Sequence, residues 1–381
     1  MSIKIKLLFQ FFLKIILIIL DKLFGLFVTK KYVLVSGLKA KFFNGNNKYL
    51  FEHFANNNVD FNYFFYTKDK NEFKLLNQIY PGKILYPYNL KTLSVFLQTK
   101  IFIVSSGIYD FSPYPILSNR VVFNIWHGTP IKKVGEMNGN KDIQKFIKTL
   151  DFFTVSSNFE GQIIKENFKL TNNKIFISGL AKNDYINNFD SKFIEENKFL
   201  KQNTIILYAP TFRENGSILK SLDELFDLNK LNEFLELNNA LFLYRYHLNS
   251  TESNKVEKYK RIINASSNIY NDAQNLLYYT DILITDYSGI YFDFLLMEKP
   301  IIFYNYDYDE YKKTRGFLFD YYENTPGTKI KNKNEALKAL QEYIDNPDKD
   351  IEKIKKIKNK FHKFNDGNSC KRITNKIKQL M

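Results

Sequence analysis

Two histidines stand where hydrophobic runs give way to polar turns. Val121-Val122-Phe123 leads into NIWHGTPIKKVG at 124–135, which holds Trp126, the only tryptophan, and His127, one of four histidines. Imidazole is the one unperturbed side chain that changes charge near neutral pH, so His127 is a candidate general base. The plainer alternative is an ordered histidine that caps the turn. His247 follows the apolar stretch 240–246; it could donate to a phosphate or assist a leaving group, or simply be a partly exposed histidine at a strand end. Arg213 closes the run Ala209-Pro210-Thr211-Phe212-Arg213. Its fork matches two oxygens of a diphosphate, with a surface ion pair as the alternative. The fourth cluster is Thr285-Asp286-Tyr287-Ser288-Gly289. Ser288 and Gly289 would open a helix whose first N–H groups have no internal partners, which favours a phosphate there. Asp286 would repel a phosphate, and fits better as a group that orients a histidine or hydroxyl or caps a helix. His53 and His362 sit in no motif and read as structural or surface residues. The histidines show no short metal-ligand spacing, and a single cysteine, Cys370, excludes an internal disulfide framework and a cysteine-rich metal site and fits a reducing compartment.

Each cluster follows a short hydrophobic run and precedes a helical pattern, the place beyond the carboxyl ends of strands where open α/β sheets take ligands. Within the first cluster Gly128 permits a close backbone approach and Pro130 can pre-set the first turn of a helix. The alternation predicts strands at 31–36, 61–66, 83–86, 100–105, 121–125, 152–155 and 174–177. After a polar stretch at 187–203 it restarts, with strands at 204–208, 240–246, 269–270, 282–285 and 300–304. Helices are expected at 48–54, 72–79, 141–150, 160–168, 225–237, 274–279 and from Ser288 to about Met297, and the last 50 residues should be mainly helical. The expected fold is α/β and GT-B-like: two Rossmann-like domains, 31–190 and 191–381, facing a central cleft, behind an N-terminal amphipathic helix at 1–30. Neither the Gly-x-Gly-x-x-Gly fingerprint nor a P-loop is present, which argues against a nicotinamide dehydrogenase and a P-loop ATPase.

The formal charge is +15, and residues 1–50 hold nine lysines against one acid, Asp21. Such a face could meet nucleic acid, anionic lipid or a polyanionic substrate; no zinc finger or RGG tract supports the first. The segment 3–28 has an unbroken apolar run of only six residues, Ile15–Leu20, between Gln10, Lys14, Asp21 and Lys22. A spanning helix wants roughly 20. Lysines interleaved with leucine and phenylalanine suit a helix lying in the interface of an anionic leaflet; packing within the protein and a tilted membrane segment are the alternatives. No small-residue cleavage site follows it. Aromatic residues make up 17% of the chain, but they accompany abundant Asn, Lys and Ile, so composition bias explains most of them and single aromatics carry little functional weight.

WHGTPIKKVG at 126–135, TVSSNFEGQIIKENF at 154–168, YAPTFR at 208–213 and the long stretch 281–327 that begins DILITDYSG together resemble the CDP-glycerol glycerophosphotransferase family of teichoic-acid synthesis. Asn365-Asp366-Gly367 ahead of a last helix is similar as well. The resemblance implies a GT-B-like enzyme at the cytoplasmic membrane face. Such enzymes move glycerol phosphate, or ribitol phosphate in related members, from a CDP-alditol to a hydroxyl of a lipid-linked or polymer acceptor and release CMP. It implies that His127, with Trp126, Gly128 and Thr129 around it, is the base that activates the acceptor. His247, Arg213 and Thr211 would serve the donor phosphates, as would the turn with Thr285, Asp286, Ser288 and Gly289; Arg315 in KTRGF would be a further anion contact. The family motif often has a second serine after Ser288; here Gly289 removes that hydroxyl and keeps the N–H. No protein-bound metal is required, although Mg2+ travelling with the donor diphosphate is compatible. The length suits a compact single-transfer member better than a long polymerase. Donor choice between glycerol and ribitol, the acceptor and the oligomeric state stay open. The rivals are a capsule-polymer alditol-phosphate transferase, a GT-B glycosyltransferase that uses a sugar nucleotide, and a non-catalytic membrane-associated polyanion binder. Both motif histidines and the phosphate turn speak against the last.

Overall fold

The computed structural model describes residues 3–24, 29–133, 141–187, 191–211, 213, 220–246, 256 and 258–381. It has two compact units. One comprises Met1–His127, Gly135–Asp184 and Asp366–Met381; the other comprises Gly128–Val134 and Tyr185–Asn365.

The first unit is built on seven strands: β1 (Tyr32–Val35), β2 (Asn62–Tyr66), β3 (Ile84–Leu85), β4 (Thr99–Val104), β5 (Val121–Asn124), β6 (Phe152–Val155) and β7 (Ile175–Ile177). They lie in the order β3-β2-β1-β4-β5-β6-β7, and the pairs are parallel. Runs such as YVLV and KIFIV are apolar almost throughout, as strands buried on both faces require. Val33, Phe51, Phe54, Phe65 and Phe123 join one core cluster; Phe43 meets Phe65 edge to face with ring centroids 4.9 Å apart. The second unit has six parallel strands: β8 (Thr204–Tyr208), β9 (Ala240–Tyr244), β10 (Ile262–Asn264), β11 (Ile282–Thr285), β12 (Ile301–Tyr304) and β13 (Thr328–Ile330), in the order β10-β9-β8-β11-β12-β13. Its core gathers Leu231, Leu235, Phe242, Ile284 and Tyr343. In each sheet the strand order reverses once, between β1 and β4 and between β8 and β11, which is the topological point where such sheets bind ligands.

Several expectations need correction. Residues 269–270 are not a strand: the N–H groups of Ile269 and Tyr270 both reach the Ser266 carbonyl at 3.0 Å in a turn, and the edge strand is the three-residue β10. The strand β13 and the helix Leu90–Gln98 were not anticipated. Pro130 does not open a helix; the chain beyond it runs to an antiparallel bridge between Lys132 and Phe317, and 134–140 lies outside the described residues. The helix after Ser288 covers only Ile290–Leu295.

The largest difference concerns the chain's end. The helix Ser369–Leu380 belongs with the first unit, not with the expected 191–381 block. Its apolar face explains why: Cys370, Ile373 and Ile377 are buried in the core around β1, β4 and β5. Its first turn is capped by Asp184, whose carboxylate accepts from the N–H of Ser369 at 2.8 Å and of Cys370 at 2.7 Å. Arg372 completes the clasp, with Nε on the Ser178 carbonyl at 2.8 Å and its two terminal nitrogens on Asp366 at 2.7 and 2.9 Å.

At the other end the helix Ile3–Phe24 is pinned to the first unit. Leu17 is buried, and Asp21 meets Arg120 at 2.6 Å with side chains 5% and 1% exposed. Phe12, Ile16, Ile19 and Leu23, spaced along one helical face, stay exposed. No described helix is long and apolar enough to cross a membrane.

Replacing Asp184 with Ala removes the acceptor for two orphan N–H groups, and is expected to lower stability by about 1–2 kcal/mol in urea unfolding. The pairing of Asp366 with Arg372 holds its carboxyl down at about 2, below the unfolded value of about 3.9. Its contribution is therefore complete above the unfolded value and lost as pH falls toward 2. Because the carboxylate is half exposed, that contribution stays below about 1 kcal/mol. Wild type and Asp366→Asn should differ at pH 7 and converge between about pH 4 and 2.

Candidate active site

In the first unit, His127 is presented by a backbone that ordinary residues avoid. Trp126 has φ +47°, a left-handed conformation that costs a non-glycine residue roughly 1–3 kcal/mol and is kept only where surroundings impose it. The surroundings do so. Asn46 donates through Nδ2 to the carbonyls of Ile125 and Trp126 at 2.8 and 3.0 Å and accepts from the Lys182 N–H at 3.0 Å. The Trp126 N–H reaches Asn124 Oδ1 at 2.8 Å, while its indole packs on Phe153 and Phe168. His127 is thereby left exposed, with its ring 4.2 Å from the Trp126 ring. Its Nδ1 lies 3.2 Å from the Ser105 carbonyl. A carbonyl only accepts, so Nδ1 carries the proton and Nε2 of the neutral ring keeps a lone pair.

Ser105 is itself held. The buried Asp110 carboxylate accepts from the N–H groups of Ser105, Ser106 and Gly107 at 2.8, 2.7 and 3.3 Å and from Lys39 N–H at 2.9 Å. Burial pushes this carboxyl's pKa up, against the four donors that favour its ionised form. Neither Ser105 nor Asp110 was singled out from sequence; the signal was the small, polar Ser-Ser-Gly turn after β4.

In the second unit the turns after β8, β11 and β12 are joined through one guanidinium. Arg213 was expected to grip a diphosphate, but its side chain is 4% exposed and taken up internally. Nε and one terminal nitrogen make a fork with Asp307 at 2.8 and 3.2 Å. The same nitrogen lies 2.8 Å from Asp286 Oδ2, and the other donates to the Thr211 carbonyl at 2.7 Å. The guanidinium also lies 5.2 Å from the ring centres of Tyr287 and Tyr311, and the Tyr287 hydroxyl donates to Asp307 at 3.0 Å. Burial opposes the charge; Asp286 and Asp307 outweigh it and raise the pKa. Asp286, expected to orient a histidine or hydroxyl or to cap a helix, instead accepts from the Thr211 N–H at 2.8 Å and pairs with Arg213. Asp307 was missed, although it lies within the 281–327 stretch.

The Thr285 hydroxyl is likewise used inside, donating to the Ala209 carbonyl at 2.7 Å. The side-chain oxygens of Thr129 and Thr211 are buried with no hydrogen-bond partner among the described residues. Ser288 is half-buried, its hydroxyl oxygen 3.4 Å from the Ile290 N–H. Arg315 is half-buried at the end of the helix Tyr308–Thr314. His247 lies outside the described residues. His53 is half-buried, with burial lowering its pKa, and the buried His362 bonds the Phe292 carbonyl at 2.8 Å; both are structural in placement.

The residues right after His127 belong to this second unit and explain Gly289. Gly128 has φ +151°. The Thr129 carbonyl then comes so close to Gly289 that a Cβ there would stand 2.6 Å from the oxygen, so a serine at 289 has no room without moving the segment. The Ile131 carbonyl accepts from the Leu318 N–H at 2.9 Å, next to the Lys132–Phe317 bridge.

Removing one partner of a buried ion pair strands the other. Asp307→Asn is therefore expected to cost about 2–4 kcal/mol in denaturant unfolding, whereas its exposed neighbour, in Asp309→Asn, should stay within about 0.5 kcal/mol of wild type.

The chain is 27% identical over 371 residues to a teichoic acid poly(glycerol phosphate) polymerase of Bacillus spizizenii, covering 91% of this chain and 92% of that one. It is 26% identical over 348 residues to the teichoic acid ribitol-phosphate polymerase TarK of Staphylococcus aureus, covering 87% of this chain and 65% of the relative. The structure of a variant of the wall teichoic acid polymerase TagF superposes with a TM-score of 0.79 at 21% identity, covering 99% of this chain and 98% of the other, and shares its GT-B-like α/β fold. The family model for CDP-Glycerol:Poly(glycerophosphate) glycerophosphotransferase matches residues 20–379, and the chain belongs to that family.

Proposed function

We propose that His127 is the base in a reaction that moves glycerol phosphate from CDP-glycerol to an acceptor hydroxyl. The transfer is the activity of the family to which the chain belongs. The observation that supports His127 is its 3.2 Å contact with the Ser105 carbonyl, which fixes the neutral tautomer with Nε2 as the proton acceptor. Nε2 takes the hydroxyl proton as the oxygen attacks the phosphorus that bears glycerol. The bond from that phosphorus to the bridging oxygen breaks, and CMP leaves with the electron pair.

The donor phosphates fall to the turn around Ser288 and Gly289, with the hydroxyls of Thr129 and Thr211, which have no partner among the described residues, as further donors. Arg213 supports this turn from beneath by holding Asp286 and Asp307. His247 and Arg315 keep the donor-side roles that family resemblance gives them. Asp286 and Asp307 are committed to Arg213, so this carboxylate pair does not suit a protein-held cation. The polymerase of similar span among the relatives removes chain length as an argument for single transfer.

The acceptor is lipid-linked or polymeric, and the enzyme works peripherally at the cytoplasmic face of the membrane. The exposed apolar stripe of the N-terminal helix supports that placement. A second reading, CDP-ribitol as donor, is favoured by the ribitol-phosphate polymerase that matches almost as well.

Purified protein with CDP-glycerol, or separately CDP-ribitol, and a lipid-linked acceptor should release CMP with one donor. His127→Ala should slow that release by about 10²–10⁴-fold and flatten the acidic limb of the pH–rate profile. Full turnover in a folded His127→Ala protein would remove the base assignment, and release of a nucleoside diphosphate from a sugar nucleotide instead would move the chain to the glycosyltransferases.

A further inference from the structure

A cavity of about 440 Å³ opens where the N-terminal helix meets the rest of the first unit, lined by none of the candidate active-site residues. The helix contributes Ile18 and Lys22 to its wall; Leu117, Arg120, Val122 and Lys148 come from the body of the unit. Its two acids, Asp21 and Asp151, are already engaged. Asp21 pairs with Arg120 and accepts from the Ser118 hydroxyl at 3.3 Å; Asp151 accepts from the Val122 N–H at 2.8 Å. No hydrogen bond or ion pair occupies Lys22 or Lys148 among the described residues. Arg120 is buried to 1% side-chain exposure. Its terminal nitrogens are used by Asp21, by the Ser118 carbonyl at 2.9 Å and by the Leu97 carbonyl at 3.0 Å, and its shielded Nε–H has no partner among the described residues. With Arg120 met by Asp21, the charge left over in the cavity wall is that of Lys22 and Lys148, which favours an anion there.

The apolar stripe says which anion. Phe12, Ile16, Ile19 and Leu23, at 53, 52, 48 and 61% exposure, lie on the same helix as Ile18 and Lys22. A helix that lays this stripe into a bilayer interface brings its flanks to the depth of the lipid headgroups. The cavity combines an apolar wall with cationic groups, which matches a phosphodiester whose glycerol end continues into the lipid. We propose that this cavity seats the phosphate of an anionic membrane phospholipid, so that the N-terminal helix reads a headgroup as well as resting on the surface. The assignment rests on the membrane placement proposed above. It differs from general basic attraction in that two specific lysines carry the preference, not the summed charge.

The full-length protein is assayed for binding to phosphatidylcholine vesicles with and without 30 mol% (about a third) phosphatidylglycerol. Lys22→Gln/Lys148→Gln is compared with Lys14→Gln/Lys41→Gln, a control of equal charge change away from the cavity. The cavity pair should lose at least about fivefold in affinity for the anionic vesicles and the control less than about twofold, with CMP release from donor and a soluble acceptor unchanged in both. Equal losses in the two variants, or none in the cavity pair, would overturn the headgroup seat while leaving membrane binding intact. A wild-type protein that ignores all vesicles would overturn both readings. Free glycerol 3-phosphate that binds wild type saturably and competes with vesicles at equal affinity would reassign the cavity to a soluble phosphate and also overturn the proposal.

Discussion

A single buried guanidinium holds the second unit's strand ends in place. Arg213 takes two carboxylates and one carbonyl at once, and those partners belong to the turns after β8, β11 and β12. Placing a charge at 4% exposure is tolerable only because its opposite charges and hydrogen bonds are complete. The tyrosines 287 and 311 stack 4.0 Å apart beside it, and Phe317 joins them. That cluster in turn sets the segment against which Ile131 and Lys132 lie. The geometry around Gly289 therefore follows from an ion-pair cluster whose guanidinium is almost wholly shielded from solvent.

The first unit solves a related problem differently. There the task is to expose an imidazole while a backbone carbonyl holds its Nδ1. The means are neutral: a side-chain amide, a backbone carbonyl and aromatic packing. Asn46 and the rings of Phe153 and Phe168 hold Trp126 in its left-handed backbone, and Asp110 organises the turn that gives Ser105 its place. Strain at Trp126 and the burial of Asp110 are both unfavourable in isolation; each is retained beside the exposed His127.

Much of this was legible beforehand. The apolar runs that form β1, β4, β8 and β11 are long enough and separated clearly enough to announce two parallel sheets, and the polar residues at their ends marked the turns that matter. What was hidden depended on contacts distant in sequence. Arg213 and Asp307 are 94 residues apart, so a reading of local chemistry assigned the fork to a ligand. The three-residue strands β10 and β13 carry too few residues for a period to show. The last helix looked like part of the nearest block because linear order is the only guide to grouping until Asp184 is seen capping it from 185 residues away. Gly289 was visible as a departure, and its cause, the Thr129 carbonyl, was not.

The grouping of the chain into units has a consequence for how the protein can be divided or recombined. The polypeptide passes between its units four times, after His127, Val134, Asp184 and Asn365. Neither unit is a continuous piece of sequence. A fragment ending at Asp184 lacks the helix that fills its own core, and one beginning at Tyr185 lacks the seven-residue segment that lies on Gly289. Exchanging the second unit between relatives would mean carrying 128–134 along with 185–365. The sequence WHGTP would then be split between two parents, with the histidine inherited from one and the threonine from the other.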